Sequence, residues 1–156
     1  MLKHRILACL LMLSAIAATP SAISQTAPDY AAIVATPDRS DADRKLDANR
    51  EPAQWLAFIG AKPGMKILDI FAVYGWKAEL LARAVAPGGK VYAQNSEAAF
   101  ARVKDRLDTR LKTPAAANIV SAVRPFEDPA PTDMHDFDLV TFFYALSPGC
   151  RSHQDA

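Results

Sequence analysis

Two short apolar runs, separated by an amphipathic segment, dominate the hydrophobic pattern of the chain. The first run, 66–70, reads Lys-Ile-Leu-Asp-Ile, and the second, 90–95, reads Lys-Val-Tyr-Ala-Gln-Asn. A turn that ends in Gly75 and a Pro-Gly-Gly break at 87–89 flank the segment between them. Within that segment the apolar residues recur at helical spacing: Trp76, Leu80, Leu81, Ala84 and Val85. The pattern predicts a βαβ unit, because parallel strands need a crossover connection.

The pattern downstream predicts one more helix and two more strands. Ser96 is placed to cap a helix. The apolar side chains of this helix share one face: Phe100, Val103, Leu107 and Leu111. Its charged residues, Arg110 among them, are expected mostly on the solvent side. Residues 118–123 predict a third strand, and residues 137–144 predict a fourth strand that is apolar enough to be buried on both faces.

The segment before the first strand is more polar and predicts helices. Ser40 is a suitable N-cap for 41–50, and Pro52 suits the first turn of the next helix, which Gly60 ends. The resulting order is two helices followed by alternating strands and helices. This order predicts an α/β fold with a Rossmann-like parallel sheet, strand order 3-2-1-4 and helices on both faces.

The N-terminus has the pattern of a secretory signal peptide. Basic residues at 3–5 precede an apolar run at 6–18 and a stretch of small residues at 19–24. We therefore predict a signal peptide over 1–24 and a periplasmic or secreted protein without a stable membrane span. An uncleaved anchor is the alternative, although the run is shorter than the ~20 residues that a spanning helix needs. The remaining divisions are a helical extension over 25–59, a partial Rossmann domain over 60–144 and a disordered tail over 145–156.

Composition excludes several kinds of partner. The formal net charge is +1, and no basic run is interleaved with aromatic residues, so we expect no nucleic-acid partner. Cys9 would leave with the signal peptide, which leaves Cys150 without an intramolecular disulfide. No histidine or cysteine cluster has metal-ligand spacing, and we predict no metal site.

The residues around Asp69 resemble a known motif. The order of features here is two apolar residues, Asp69, a turn that ends in Gly75, a helix and then Lys-Val-Tyr-Ala at 90–93. This order resembles the first motif of class I S-adenosylmethionine-dependent methyltransferases. The segment 37–65 resembles the leader of a group of bacterial methyltransferase-like proteins with signal peptides. The likeness extends from Pro37 to Tyr144. It implies S-adenosylmethionine as cofactor and a seven-stranded sheet, of which this chain would supply the first four strands, as if truncated at its C-terminus.

The resemblance also implies where the cofactor would bind. The candidate cofactor-binding residues are Asp69, Phe71, Ala72, Gly75, Gln94, Asn95 and Glu127. Asp69 either faces the cofactor or bonds to turn amides. Gln94 and Asn95 stand where many class I enzymes place an acid for the ribose hydroxyls. Glu127 lies in the region that reaches the adenine, or in a solvated acidic loop.

The turn itself departs from the motif. Relatives carry several glycines where this chain has Val73 and Tyr74. A β-branched residue disfavours positive φ, and glycine is what usually allows close approach of a ligand to the backbone. We therefore expect weak binding of S-adenosylmethionine or none.

Three hypotheses of function follow. The first is a methyltransferase acting on an unidentified small molecule or protein. The second is a degenerate methyltransferase fold that serves as a binding module, and the third is a fragment without a function of its own. No catalytic residue can be named, because methyl transfer relies largely on the alignment of donor and acceptor. An unpaired edge on the fourth strand is expected to promote self-association.

Overall fold

A computed structural model of the chain describes residues 27–142. The predicted signal peptide and the predicted tail lie outside these residues. The helices are α1 (Tyr30–Ala35), α2 (Asp41–Arg50), α3 (Pro52–Ile59), α4 (Trp76–Val85) and α5 (Glu97–Leu111). The strands are β1 (Lys66–Ile70), β2 (Lys90–Asn95), β3 (Ile119–Val123) and β4 (Leu139–Phe142).

The four strands form one parallel sheet in the order β3-β2-β1-β4. Ile67 of β1 lies opposite Val91 of β2 and Leu139 of β4, and Val91 in turn lies opposite Ile119 of β3. The predicted Rossmann-like sheet and its strand order are confirmed.

Helix α4 covers one face of the sheet and forms the centre of the core. Nine of its ten residues are buried. The seven apolar ones pack against Ile67, Val91 and Ala93 of the inner strands, and Leu56 of α3 joins the same cluster. Both crossovers run in one direction, from β1 to β2 and from β2 to β3. Right-handed connections therefore place α4 and α5 on the same face.

A loop, 124–138, covers part of the opposite face. The Tyr92 ring meets the Phe137 ring edge-on at 5.5 Å between centroids, and the Tyr92 hydroxyl lies 3.5 Å from Met134 Sδ. On the first face, α1 and α3 pack against α4. On β4, Val140 and Phe142 are 53% and 60% exposed, so the prediction that this strand is buried on both faces is wrong for 139–142.

Local signals set the ends of the helices. The side chain of Ser40 accepts a hydrogen bond from Asp43 N, and that of Ser96 accepts one from Ala99 N, as predicted for two N-caps. Gly60 ends α3 in the left-handed conformation, at φ +67°. Across 27–142, none of the helices combines the length and the apolar character needed to cross a membrane.

Candidate functional site

The turn between β1 and α4 lies at the carboxyl edge of the sheet and has an unusual backbone. Phe71 has φ +57°, Val73 has φ +55° and Gly75 has φ +84°. A residue with a Cβ rarely adopts these values, and for a β-branched residue they are a genuine outlier. The turn keeps the left-handed geometry that glycine would adopt without strain, although only Gly75 is glycine.

Two buried amides at the end of β2 hold this turn. Gln94 Oε1 accepts from Phe71 N at 3.0 Å, and Gln94 O accepts from Ala72 N at 2.8 Å. Asn95 Oδ1 accepts from Val73 N at 2.8 Å, and Asn95 Nδ2 donates to Val73 O at 3.1 Å. Gln94 Nε2 donates to Arg124 O at 2.6 Å. The polar groups predicted to meet a ribose are thus engaged by the protein backbone.

Asp69 is fully buried beneath the start of α4. Its Oδ1 lies 2.9 Å from Lys77 Nζ and accepts a hydrogen bond from Thr141 Oγ1 at 2.9 Å. Within 27–142, no hydrogen-bond donor reaches Asp69 Oδ2. Burial raises the pKa of the Asp69 carboxyl, and the Lys77 ammonium opposes this rise. Asp69 therefore has its counter-ion within the protein, and it accepts its hydrogen bond from Thr141 of β4 and not from the turn amides.

Gly75 and Arg110 meet where α5 packs on the turn. A Cβ on Gly75 would lie 3.0 Å from Arg110 Cδ and 3.2 Å from Leu107 Cδ1. Arg110 Nε donates to Tyr74 O at 2.9 Å, and Nη2 donates to Asp43 Oδ1 at 2.9 Å. Arg110 also forms an ion pair with Glu79 of α4.

The placement of Arg110 corrects the sequence analysis. Its side chain is 12% exposed, so the prediction that it faces solvent is wrong. Its partners Asp43, Tyr74 and Glu79 lie 67, 36 and 31 residues away along the chain. The sequence around α5 held no local signal for these contacts.

A second arginine ties the N-terminal segment to α4. Arg83 donates to both carboxylate oxygens of Asp38, at 3.0 and 2.9 Å, and to Glu79 Oε1 at 2.8 Å. The hydrogen bond from Arg83 lowers the pKa of the Asp38 carboxyl. Together with the bond from Arg110 to Asp43, these pairs fix the segment 38–43 against α4 and α5.

The Tyr74 ring lies against α5. The guanidinium carbon of Arg106 is 3.9 Å from the centroid of this ring. The ring also packs, half-buried, against the core cluster around α4. Within the turn, the side chain that would clash with a ligand is therefore mainly that of Val73.

A cleft of about 1080 Å³ opens at the carboxyl ends of β2 and β3. Its lining includes Ser96, Glu97, Phe100, Val123, Arg124 and Pro125. Glu97 is exposed in the first turn of α5 and is not among the site residues predicted from the sequence. An acid two residues after the end of β2 was the available signal.

The loop after β3 reaches the turn through an aromatic pair. The rings of Phe71 and Phe126 are 5.8 Å apart, centroid to centroid, and tilted by 55°. Glu127, the next residue, is exposed. The structure thus brings together the turn residues, Gln94 and Asn95, encloses Asp69 beneath them, and places Glu127 on a loop whose neighbouring ring touches the turn.

Comparisons with known proteins give likenesses in structure alone. No protein-family model and no curated protein matches the chain. A SAM-dependent O-methyltransferase from Thermotoga maritima has 23% identity and a TM-score of 0.49, with 58% of this chain and 33% of that chain covered. A protein-L-isoaspartate O-methyltransferase has 17% identity and a TM-score of 0.49, with coverages of 56% and 26%.

A third solved structure covers more of both chains. The O-methyltransferase TomG from Streptomyces achromogenes has 21% identity and a TM-score of 0.48, with 72% of this chain and 57% of that chain covered. The present chain thus spans about a quarter to somewhat more than half of these structures. Each TM-score is below 0.5, and we base the fold assignment on the strand order and register of this chain.

Proposed function

We propose that this chain is a methyltransferase-like domain that binds S-adenosylmethionine weakly at the turn 71–75 and in the cleft at the carboxyl ends of β2 and β3. The observation that carries the proposal is the left-handed backbone at Phe71 and Val73. Such a conformation costs about 1–3 kcal/mol at each residue that is not glycine, and it persists where the surrounding structure enforces it, often at ligand sites. Here the amides of Gln94 and Asn95 enforce it.

The backbone of the turn fits this cofactor better than the side chains do. The turn lies outside the carboxyl ends of parallel strands, where ligands of such sheets bind. Ala72 is small and buried, and Gly75 opens α4 without a side-chain cap. Val73 adds a branched side chain, and Asp69 already has Lys77 as counter-ion. We infer that the ammonium of the cofactor gains little from Asp69.

The cleft and the loop after β3 supply the remaining contacts in this proposal. Glu97 would accept the ribose hydroxyls in place of Gln94 and Asn95, because its carboxylate is exposed at the cleft. Phe126, which is 46% exposed, would offer a ring face to the adenine beside Glu127. The bound cofactor supplies an electrophilic methyl group. The residues of this chain would hold it in line with an acceptor, so their role is orientation.

The second candidate is a binding module with the same fold and no transfer activity. The observations in its favour are Val73 in the turn and the internal pairing of Asp69 with Lys77. The two candidates differ in whether methyl transfer occurs, while both predict a ligand in the cleft. In either case we propose that residues 1–24 direct export and that 27–142 correspond to the first four strands of the fold that the resemblance implies.

The proposal is tested by titrating the mature chain with S-adenosylmethionine and monitoring its backbone amides by two-dimensional NMR. We expect shifts confined to the amides of 71–75, Ser96, Glu97, Phe126 and Glu127, with weak saturation. Glu97→Gln should weaken binding about tenfold, because it removes a charge-assisted hydrogen bond to the cofactor. Asp105→Asn, an exposed acid on the same helix, is the matched control and should bind as the wild type does. Shifts elsewhere, or none at millimolar ligand, would overturn the cofactor assignment.

A further inference from the structure

We propose that Arg110 is a positioning residue that holds the turn 71–75 from the side of α5 and couples it to helix α2. For its effect on the cofactor, this inference rests on the function proposed above. For the turn itself, it rests on contacts alone.

Arg110 joins three elements through one guanidinium. Nε donates to the carbonyl of Tyr74 in the turn, Nη2 to Asp43 of α2, and Nη1 pairs with Glu79 of α4. The side chains of Arg110, Asp43 and Glu79 are 12%, 4% and 8% exposed. Ion pairs so far removed from water depend on geometry, and the loss of one partner leaves the others uncompensated.

The packing of Arg110 adds a steric constraint to these bonds. Its Cδ lies 3.0 Å from the position that a Cβ on Gly75 would occupy, so the aliphatic part of the side chain packs on the turn. A planar guanidinium presents five donors in a fixed fork, whereas a lysine ammonium is a point charge on a flexible stem. Lysine would keep the charge at this position and lose the fork.

The turn is thus held from two sides. On the β2 side, Gln94 and Asn95 bind the amides of Phe71 and Val73. On the α5 side, Arg110 binds the carbonyl of Tyr74. Because Phe71 and Val73 are in a strained conformation, the removal of one support should let the turn relax. Asp43 of α2 accepts a hydrogen bond from Arg110 and so helps to hold that side chain in place. Helix α2 is therefore part of the scaffold of the site.

Hydrogen exchange of backbone amides, measured by NMR without any ligand, tests this inference. In Arg110→Lys we expect exchange of the Ala72, Val73 and Gly75 amides to be about tenfold faster, which corresponds to the loss of one hydrogen bond. Exchange at Tyr92 and Ala93, in the centre of β2, should be unchanged. Arg102→Lys is the matched control on the exposed face of α5 and should leave all of these rates unchanged.

Asp43→Asn is the second variant, because it keeps the size of the side chain and removes only the charge that faces Arg110. It should accelerate the same three turn amides by a smaller factor. Exchange rates at the turn that equal those of the wild type in both variants would overturn the inference. A uniform acceleration that includes β2 would also overturn it, because it would indicate that Arg110 only stabilises the whole fold. Since the readout needs no cofactor, a failure of S-adenosylmethionine to bind would contradict the proposed function and leave this result standing.

Discussion

Val73 is the residue at which tertiary contacts most clearly override local preference. Its side chain is β-branched, yet its φ is +55° because its amide and its carbonyl are both bonded to the Asn95 side chain. The preference of valine for extended backbone argued against this conformation. The opposing force comes from a residue 22 positions away, which the local sequence does not reveal.

Replacement of Val73 by glycine should stabilise the fold. Relief of left-handed strain gains about 1–3 kcal/mol, and the greater freedom of glycine in the unfolded chain removes up to about 1 kcal/mol of this. We expect the free energy of unfolding in urea to rise by about 1 kcal/mol. Val123→Gly, at an exposed position with ordinary backbone on β3, is the control and should lose stability. An equal loss in both variants would show that the turn is unstrained.

The pair Asp69–Lys77 predicts a dependence of stability on pH. In Lys77→Met the buried carboxylate loses its counter-ion, and we expect a loss of about 3–5 kcal/mol in the free energy of unfolding at pH 7. The pKa of Asp69 is already raised by burial above the ordinary value of 3.8, and it should rise further. A raised pKa means that the folded state binds the proton more tightly, so this variant loses stability as pH rises above about 4.

Denaturant unfolding at pH 4 and pH 7 checks this sign. The difference between wild type and Lys77→Met should be smaller at pH 4, where Asp69 takes up a proton. Lys104→Met removes an exposed lysine that is paired with Asp108 and serves as the control, with little effect at either pH. A difference that is larger at pH 4 would contradict the assignment of a buried, charged Asp69.

At the scale of elements, the pattern of apolar residues was enough for the strands, for α4 and for the strand order. The caps at Ser40 and Ser96, the stop at Gly60 and the βαβ spacing are local features that the sequence displays directly. The exposure of β4 and the burial of Arg110 could not be predicted in this way. Both depend on which distant element covers a face, and the loop 124–138 leaves Val140 exposed.

The exposed side of β4 predicts self-association. In the part of the chain described, the outer edge of β4 has no paired strand, and Val140 is 53% exposed beside it. Such edges template pairing with another chain. Sedimentation velocity of the mature protein should show association that rises with concentration, and Val140→Lys should reduce it. Val123→Lys, on the other outer strand, is the control. A wild type that is monomeric at every concentration would count against this prediction.

At the scale of the whole molecule, the segment 30–43 is an integral part of the fold. Asp38 and Asp43 bind arginines of α4 and α5, and the Tyr30 hydroxyl donates to Ala61 O at 2.7 Å. These contacts join residues 30–43 to α4, α5 and the segment before β1. Most of the candidate site could be located from the motif around Asp69, but the roles of its residues depend on these long-range contacts.

Export is the prediction that belongs to this scale. The basic, apolar and small segments of 1–24 predict removal of the signal and a mature start near Gln25. Intact-mass measurement on separated cell fractions should find the shortened chain in the periplasm or the medium. A cytoplasmic protein that retains Met1 would contradict it.

Calorimetric titration of S-adenosylmethionine into the wild type and Val73→Gly tests the central claim most directly, because it asks whether a cofactor turn is present and is impaired by one side chain. We predict weak binding by the wild type and binding at least about tenfold tighter by Val73→Gly, a difference of about 1.4 kcal/mol. Val120→Gly, at an exposed valine of β3 that does not line the cleft, should bind as the wild type does. Micromolar binding by the wild type would contradict our account of the turn, and the absence of binding by both proteins would contradict the cofactor site itself.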